Sequence, residues 1–225
     1  VVAVLPILFL YGVFFVSQWK YYVSGFTGVL PEDFSYAGYA RSGFFELCSV
    51  SVINLVLILA LSLLMKRGKH GAGVFLKILT TAFCLCTLVL ISTAVAKLIM
   101  YIDSYGLTRL RVLTETFMVW LGCTTLLVCV WLFRPRLPYM KVTLLLALAL
   151  CAALMWADVD TQVARYNVRA YQMGSLETVD VSHLAQLSDG AVPYLYELTA
   201  DSDPEIAQMA RDVLRLRTEK AETIR

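Results

Sequence analysis

Seven of the charged residues in or beside the hydrophobic runs of this sequence form a candidate polar cluster, and their chemistry is the first thing to explain. They are Arg41, Glu46, Lys97, Asp103, Arg109, Arg111 and Glu115. Carboxylates facing guanidinium or ammonium groups can pair between helices, or can line a pocket for a small polar ligand or an ion. The set contains no activated nucleophile and no metal-ligand spacing. We therefore expect no catalytic residue, no metal site and no cofactor.

The densest group of charges lies in residues 100–115, MYIDSYGLTRLRVLTE, between two hydrophobic runs. Gly106 permits a sharp reversal of the chain, and Thr108 can cap the helix that follows. This pattern predicts that the second of the two helices begins near residue 107.

The two arginines of that helix are predicted to point in opposite directions, because residues two apart are about 200° apart around a helix axis. Arg111 and Glu115 are four apart, so they share a face and can form an ion pair. We expect Arg111 to face other helices with Glu115 beside it. Arg109 then faces lipid headgroups or solvent.

The remaining charges need partners from other helices, because Arg41 and Glu46 are five residues apart and cannot pair along one helix. The plausible cross-helix pairs are Glu46 with Lys97 or Arg111, and Arg41 with Asp103. A charge at the centre of a membrane costs about 2.5–3.5 kcal/mol, so Glu46 should face the helix bundle, while Lys97 can also reach the interface with its long stem. These pairs either fix the helix register or form a functional pocket.

Other polar residues in the hydrophobic runs have simpler explanations. Asn54 is predicted to form an interhelical hydrogen bond, which is worth about 0.6–2 kcal/mol. The six cysteines fall within apolar runs and form no C-x-x-C pair, which favours small buried side chains over disulfides or zinc ligands. The hydrophobic runs contain no Walker loop, nucleophile elbow or paired-carboxylate motif. We expect a protein that is not an enzyme and binds no nucleic acid.

The elements that carry these residues follow from composition. The chain is 59% hydrophobic and 16% charged, whereas soluble domains carry about 45–50% apolar and 25% charged residues. Five runs are near the length of about 20 residues that a membrane-spanning helix needs. They cover residues 3–19, 43–65, 74–101, 107–133 and 140–156. The predicted fold is all-α: a polytopic helical membrane bundle with a small helical tail outside the membrane.

Charge divides the chain into two parts. Residues 1–156, the predicted transmembrane domain, hold 12 Lys and Arg against 5 Asp and Glu, whereas the tail, 157–225, holds 7 against 12. Lys and Arg favour cytoplasmic connections. The second and fourth connections with their flanking residues hold seven, against four around the first and third, or five if Lys97 is counted. The tail is therefore expected to be extracytoplasmic. The first residue is Val1 rather than Met and already lies inside an apolar run, so we expect the chain to be the C-terminal portion of a longer protein.

The tail reads as a series of short helices. Ser182 can cap a helix over 183–188, and Asp203-Pro204 can start a helix at 204. Residues 189–222 look like one HEAT-type helical pair, which cannot bury both of its faces alone. It must therefore pack on the preceding tail helix, on the membrane domain or on a partner protein, as a small cap on the bundle or as a protein-binding module.

Several motifs resemble a bacterial family of multi-spanning membrane proteins known only as a domain of unknown function of the DUF4173 type. The resemblance covers roughly residues 10–170, with one departure at residues 20–23. It rests on Gln18 and Tyr21, on Tyr36, Ala37, Ala40, Arg41, Gly43, Phe44, Phe45, Glu46 and Leu47, on Tyr105, Gly106, Leu107, Thr108 and Arg111, and on Ala164, Arg165, Tyr166 and Asn167. It implies a bacterial inner-membrane location and brings no established activity.

Two functional hypotheses follow. The first is a non-enzymatic bacterial inner-membrane protein, in contact with the lipid bilayer, which acts as a scaffold, sensor or envelope-associated regulator and displays its tail to a protein partner. The alternative is a transporter or channel subunit in which the seven charged residues form a route for a solute or an ion. A transporter needs polar groups through the middle of the membrane, where the hydrophobic runs offer little beyond Thr, Ser and Cys.

Overall fold

The structure, a computed structural model, describes residues 4–17, 36–65 and 70–223. Every regular element in these three ranges is helical, which confirms the all-α prediction. Residues 20–35 of the predicted first connection lie outside the described residues, as do residues 66–69 of the second. Residues 36–42 of the first are helical.

Five helices cover the hydrophobic part of the chain. They are α1 (Val4–Ser17), α2 (Tyr36–Met65), α3 (His70–Tyr105), α4 (Arg109–Phe133) and α5 (Tyr139–Trp156). Among the described residues, three stretches are long and apolar enough to cross a membrane, namely Lys77–Tyr105, Arg109–Phe133 and Tyr139–Trp156. In α2 the apolar stretch described is the shorter Glu46–Ala60, and α1 has 14 residues. The membrane character is therefore supported, and the count of five spans is not confirmed.

The break between α3 and α4 follows from local sequence. Gly106 has a φ of +75°, a left-handed conformation that glycine adopts without steric cost. The Thr108 hydroxyl then accepts a hydrogen bond from the Arg111 backbone N–H at 3.3 Å, which caps the first turn of α4. The reversal at Gly106 and the cap at Thr108 occur where the sequence predicted them.

Five further helical elements follow α5: α6 (Val159–Gln172), α7 (Val181–Ala185), a 3₁₀ turn η1 (Asp189–Ala191), α8 (Val192–Leu198) and α9 (Pro204–Thr223). The predicted cap of α7 was wrong. The carboxylate of Asp180, not the hydroxyl of Ser182, accepts a hydrogen bond from the His183 backbone N–H at 2.8 Å. A cap residue bonds the N–H two or three positions ahead, so Asp180 starts the helix at 181 rather than 183.

The chain divides into two compact units. The span unit consists of residues within 1–101 and 114–150, and the tail unit of residues within 102–113 and 151–225. The tail unit thus contains more than the predicted tail, because it includes the end of α3, the beginning of α4 and the end of α5.

The span unit has its core between α2, α3 and α4. Its fully buried side chains include Ile58 of α2, Phe83 and Leu90 of α3, and Met118 and Val128 of α4. Helix α5 differs, because no residue of 139–156 is buried.

The tail unit has a hydrophobic core of its own. Helix α6 is amphipathic and turns Val163, Ala164 and Val168 inward, where they meet side chains of α7, α8 and α9. Leu107 and Val112 of the α3–α4 region pack on the same core. The connection between two candidate spans is therefore part of a hydrophobic core that lies mainly in the tail.

Candidate functional site

The α3–α4 connection is held against α6 by one side-chain amide. The Asn167 carboxamide oxygen accepts a hydrogen bond from the Leu107 N–H at 2.6 Å, and its NH₂ group donates to the Leu107 carbonyl at 2.8 Å. Asn167 is buried, with 7% of its surface exposed. Both the oxygen and the NH₂ group of this buried amide are hydrogen-bonded. Breaking either bond would leave a buried polar group without a partner, which is unfavourable, so the amide holds the Leu107 backbone in place.

Gly106 lets Asn167 come this close to the backbone. A Cβ atom on Gly106 would lie 2.7 Å from the Asn167 carboxamide oxygen and 3.5 Å from a methyl group of Leu176. Contacts below 3.0 Å essentially never occur, so the amide or the loop would have to move. The glycine is needed both for its backbone conformation and for this close approach.

Two further contacts flank the amide. On the α3 side, the Tyr166 hydroxyl donates a hydrogen bond to the Asp103 carboxylate at 3.0 Å. Burial and the neighbouring Asp103 charge raise the pKa of Tyr166 to about 12, so the hydroxyl keeps its proton at physiological pH.

On the α4 side, Arg109 makes a bidentate ion pair with Asp160 at the start of α6. Asp160 also accepts a hydrogen bond from the Ser188 N–H at 2.7 Å, and Arg109 donates to the Gln186 carbonyl at 3.4 Å. The Arg109 guanidinium holds the pKa of Asp160 below its ordinary value, with a further contribution from Ser188, although burial acts the other way. We refer to Asn167, Tyr166 and Asp160, with their partners on residues 103–109, as the clamp.

Arg111 also contacts the α3–α4 connection, but through backbone carbonyls. Its guanidinium donates to the backbone carbonyl of Tyr105 at 3.0 Å and to that of Gly106. A positive charge at the carboxyl end of a helix is favourable, because the last carbonyls of α3 have no partners within the helix. The two arginines therefore have separate partners. The expected pair between Arg111 and Glu115 stays a prediction.

Four of the seven predicted cluster residues lie in the span unit, namely Arg41, Glu46, Lys97 and Glu115. Lys97 of α3 is fully buried in protein, whereas the side chain of Glu46 on α2 is exposed, contrary to the expectation that it faces the bundle. The pairing of Glu46 with Lys97 or Arg111 stays a prediction. The side chain of Arg41 lies outside the described residues, so its pairing with Asp103 stays a prediction.

Asn54 links three helices of the span unit. Its NH₂ group donates to the Thr87 hydroxyl of α3 at 3.2 Å, and its carboxamide oxygen accepts from the Tyr11 hydroxyl of α1 at 2.5 Å. Thr87 in turn donates to the Phe83 carbonyl at 2.8 Å. The sequence indicated Asn54 but not Tyr11 or Thr87, because one tyrosine or threonine in an apolar run carries no signal about its partner.

The sequence indicated Asp103 and Arg109 on one side of the clamp, named Tyr166 and Asn167 only in the family resemblance, and did not indicate Asp160. Asp103 was expected to pair with Arg41, and it accepts a hydrogen bond from Tyr166. Arg109 was expected to face headgroups or solvent, and its side chain is 50% exposed and pairs with Asp160. A signal for Asn167 was present, because this polar residue falls on the apolar face of α6 between Val163 and Val168. Nothing in that pattern shows that its partner is 60 residues earlier.

The clamp has the chemistry of a structural joint. It consists of a bidentate ion pair, a two-point amide bond and a tyrosine–carboxylate hydrogen bond, and none of these contacts pairs a nucleophile with a base. Among the residues that the structure describes, no group of three or more His, Cys, Asp or Glu side chains is placed to hold a metal ion. The arrangement can fix the α3–α4 connection to the tail helices.

Comparison with known proteins gives one match. A family model described as a domain of unknown function, DUF4153, matches residues 1–198. No curated protein and no solved structure matches the chain. The resemblance to an uncharacterised family was therefore right at that level, but the family is DUF4153 and not DUF4173.

Proposed function

The chain belongs to the DUF4153 family, a domain of unknown function, and we propose that it is a non-enzymatic scaffold or sensor of the bacterial inner membrane whose tail unit binds another protein. The observation that carries this proposal is the clamp. Through the clamp, the connection between two candidate spans becomes part of the tail unit. The tail is therefore held by side-chain contacts as well as by the chain that leads into it.

The chain path supports a coupling role. Three candidate spans end or begin within the tail unit: α3 enters it at residue 102, α4 leaves it at 113, and α5 enters it at 151. A protein bound to the tail can therefore favour one arrangement of the clamp, and through the covalent chain favour one arrangement of the spans. Such coupling requires only that the partner bind the two arrangements with different affinity.

The tail unit offers a groove for a partner. It has a volume of about 750 Å³ and lies between the residues around η1 and one face of α9, with Val213 and Leu216 as apolar lining and Lys220 as a cation. Arg217 is fixed beside it by hydrogen bonds to the carbonyls of Ala185, at 2.9 Å, and Leu187, at 2.6 Å. Asp189 also lines the groove and lies 3.5 Å from Arg217. Lys220 and the apolar lining therefore suit an amphipathic helix that carries an acidic residue.

A photo-reactive amino acid at Leu216 tests this assignment in living cells with the full chain. Leu216 is 64% exposed, and we expect it to give one discrete protein adduct that Lys220→Glu greatly reduces. The control is the same photo-reactive residue at Asp212, which is exposed on α9 outside the groove. Equal adducts from both positions, or none from Leu216, would contradict a partner in the groove.

The orientation of the tail is a separate part of the proposal. The excess of Lys and Arg in the second and fourth connections supports an extracytoplasmic tail. Alkaline phosphatase fused after Arg225, which folds only outside the cytoplasm, should be active, and β-galactosidase fused at the same residue should be inactive. The reverse result would place the tail in the cytoplasm.

A transporter or channel is the second candidate, because polar groups do occur inside the span unit. Lys97 is fully buried within a candidate span, and the chain from Tyr11 through Asn54 to Thr87 is polar. Ionisable groups inside spans often mark ion or proton routes. Solute uptake into vesicles containing the purified protein, abolished by charge reversal at Glu46 or Arg111 while the protein stays folded, would favour this candidate.

A further inference from the structure

A second cleft in the tail unit lies between the end of α3 and the outward face of α6. Its volume is about 550 Å³, and its polar lining includes Asp103, Gln162, Arg165, Tyr166, Arg169 and Ser175. Arg165 and Arg169 are four residues apart, so they project from the same face of the helix. Two guanidinium groups thus share one concave surface.

These two arginines differ from the other arginines described in the tail unit. Arg109, Arg111, Arg211, Arg215 and Arg217 all donate to acceptors within the unit. Within residues 102–113 and 151–223, neither Arg165 nor Arg169 has a side-chain acceptor, and both are exposed. Like charges four apart on a helix repel each other, and an anion between them would relieve that repulsion. Guanidinium groups bind phosphate oxygens in bidentate fashion.

The cleft also contains an acceptor. Asp103 accepts one hydrogen bond from the Tyr166 hydroxyl at 3.0 Å, and an ionised carboxylate can accept several. A simple anion would be repelled by Asp103. A phosphate ester that also carries a hydroxyl or ammonium group satisfies both sides of the cleft, with the phosphate on the arginines and the donor on the carboxylate.

The position of the cleft in the chain indicates where such a ligand comes from. Asp103 lies in the last turn of the candidate span Lys77–Tyr105, and α6 begins at Val159, shortly after the candidate span that ends at Trp156. Trp156 is 95% exposed and Met155 84% exposed. Exposed tryptophan at the end of a span is typical of the headgroup region of a membrane.

We propose that the Arg165–Arg169 cleft binds the headgroup of a phospholipid, with the phosphate held by the two arginines and a headgroup hydroxyl or ammonium group held by Asp103. Phosphatidylglycerol and phosphatidylethanolamine carry such donors, whereas the quaternary ammonium of phosphatidylcholine does not. This site uses neither the α9 groove nor a partner protein, so its test is independent of the test of the proposed function.

The test is lipid binding by the delipidated full-length protein in detergent, measured by native mass spectrometry. Separate titrations use phosphatidylglycerol, phosphatidylethanolamine, phosphatidylcholine and inorganic phosphate. We expect both donor-bearing lipids to bind more tightly than phosphatidylcholine. The double variant Arg165→Gln/Arg169→Gln should weaken that binding roughly 10- to 30-fold, since each basic residue near a headgroup contributes about fivefold.

The matched control is Arg211→Gln/Arg215→Gln, which makes the same charge change four residues apart on α9. It should leave lipid binding unchanged, and an equal loss in both double variants would show a general charge effect and overturn the proposal. Asp103→Asn should reduce the preference for donor-bearing lipids over phosphatidylcholine, and an unchanged preference would remove Asp103 from the site. Binding of inorganic phosphate without lipid binding would show that the cleft takes a free anion instead.

Discussion

Replacing Gly106 with alanine is expected to destabilise the tail unit by about 2–4 kcal/mol. The left-handed backbone at this position, with φ of +75°, costs a residue with a Cβ about 1 kcal/mol or more. The added Cβ would also lie 2.7 Å from the Asn167 carboxamide oxygen, and displacing that amide removes two hydrogen bonds worth about 1 kcal/mol each. Thermal unfolding and limited proteolysis of the full chain in detergent measure the effect.

Gly174 supplies the control for this prediction. Its φ of +74° is nearly the same, but nothing lies within 4 Å of the Cβ that Gly174→Ala would add. That variant should lose only the backbone contribution, about 1 kcal/mol. In an Asn167→Ala background, Gly106→Ala should cost no more than Gly174→Ala, because the amide is already absent. Equal losses at the two glycines in the otherwise unchanged protein would mean that the clamp does not restrain the connection.

Replacing Asp160 with asparagine is expected to destabilise the tail unit by about 1–2 kcal/mol at neutral pH and to change its response to acid. The ion pair with Arg109 is lost, and a charge-assisted bond is stronger than a neutral one. The Asp160 side chain is 13% exposed but that of Arg109 is 50% exposed. Solvent screening therefore keeps the effect below that of a fully buried pair.

The pH dependence has a definite sign. Arg109 lowers the pKa of Asp160 in the folded protein, so the unfolded chain binds a proton more readily than the folded one. The stabilisation is complete above the unfolded aspartate pKa of about 3.9, and it is lost as the pH falls through the lower folded pKa. Unfolding followed from neutral pH to about pH 3 should therefore show a smaller decline in Asp160→Asn than in the unaltered protein.

Asp212→Asn is the charge-matched comparison for this experiment. Asp212 is exposed on α9 and accepts only from Gln208, at 3.3 and 3.4 Å, among the described residues. Its replacement should change neither stability at neutral pH nor the acid response appreciably. A response to acid in Asp160→Asn that matches the unaltered protein would show that the ion pair does not contribute to the clamp.

The features predicted correctly from the sequence depend on neighbouring residues. Apolar runs indicated membrane helices, Gly106 indicated a reversal, and Thr108 indicated a helix cap, because each effect acts within a few residues. Even at this range competing signals mislead, as Asp180 rather than Ser182 caps α7. The number of spans predicted from run length is not confirmed, since α1 and the described apolar part of α2 are shorter than a full span.

The clamp could not be predicted because its pairs are distant in sequence. Arg109 and Asp160 are separated by 51 residues, Leu107 and Asn167 by 60, and Asp103 and Tyr166 by 63. Charge patterns show that a residue needs a partner but not which one it has. Asp103 was therefore assigned to Arg41 of a neighbouring span, and Arg109 to headgroups or solvent.

The separation between Leu107 and Asn167 also imposes an order of assembly. At ordinary rates of synthesis, 60 residues take roughly 3–12 seconds to make, and during that time Leu107 is made but Asn167 is not. Helices α4 and α5 are synthesised in this interval, before Asn167 can bond to the Leu107 backbone. The amide contact can therefore form only after α6 has been made, long after the loop that it holds. A nascent chain that ends before residue 167 would therefore carry the hydrophobic helices but not the restraint that holds their connection.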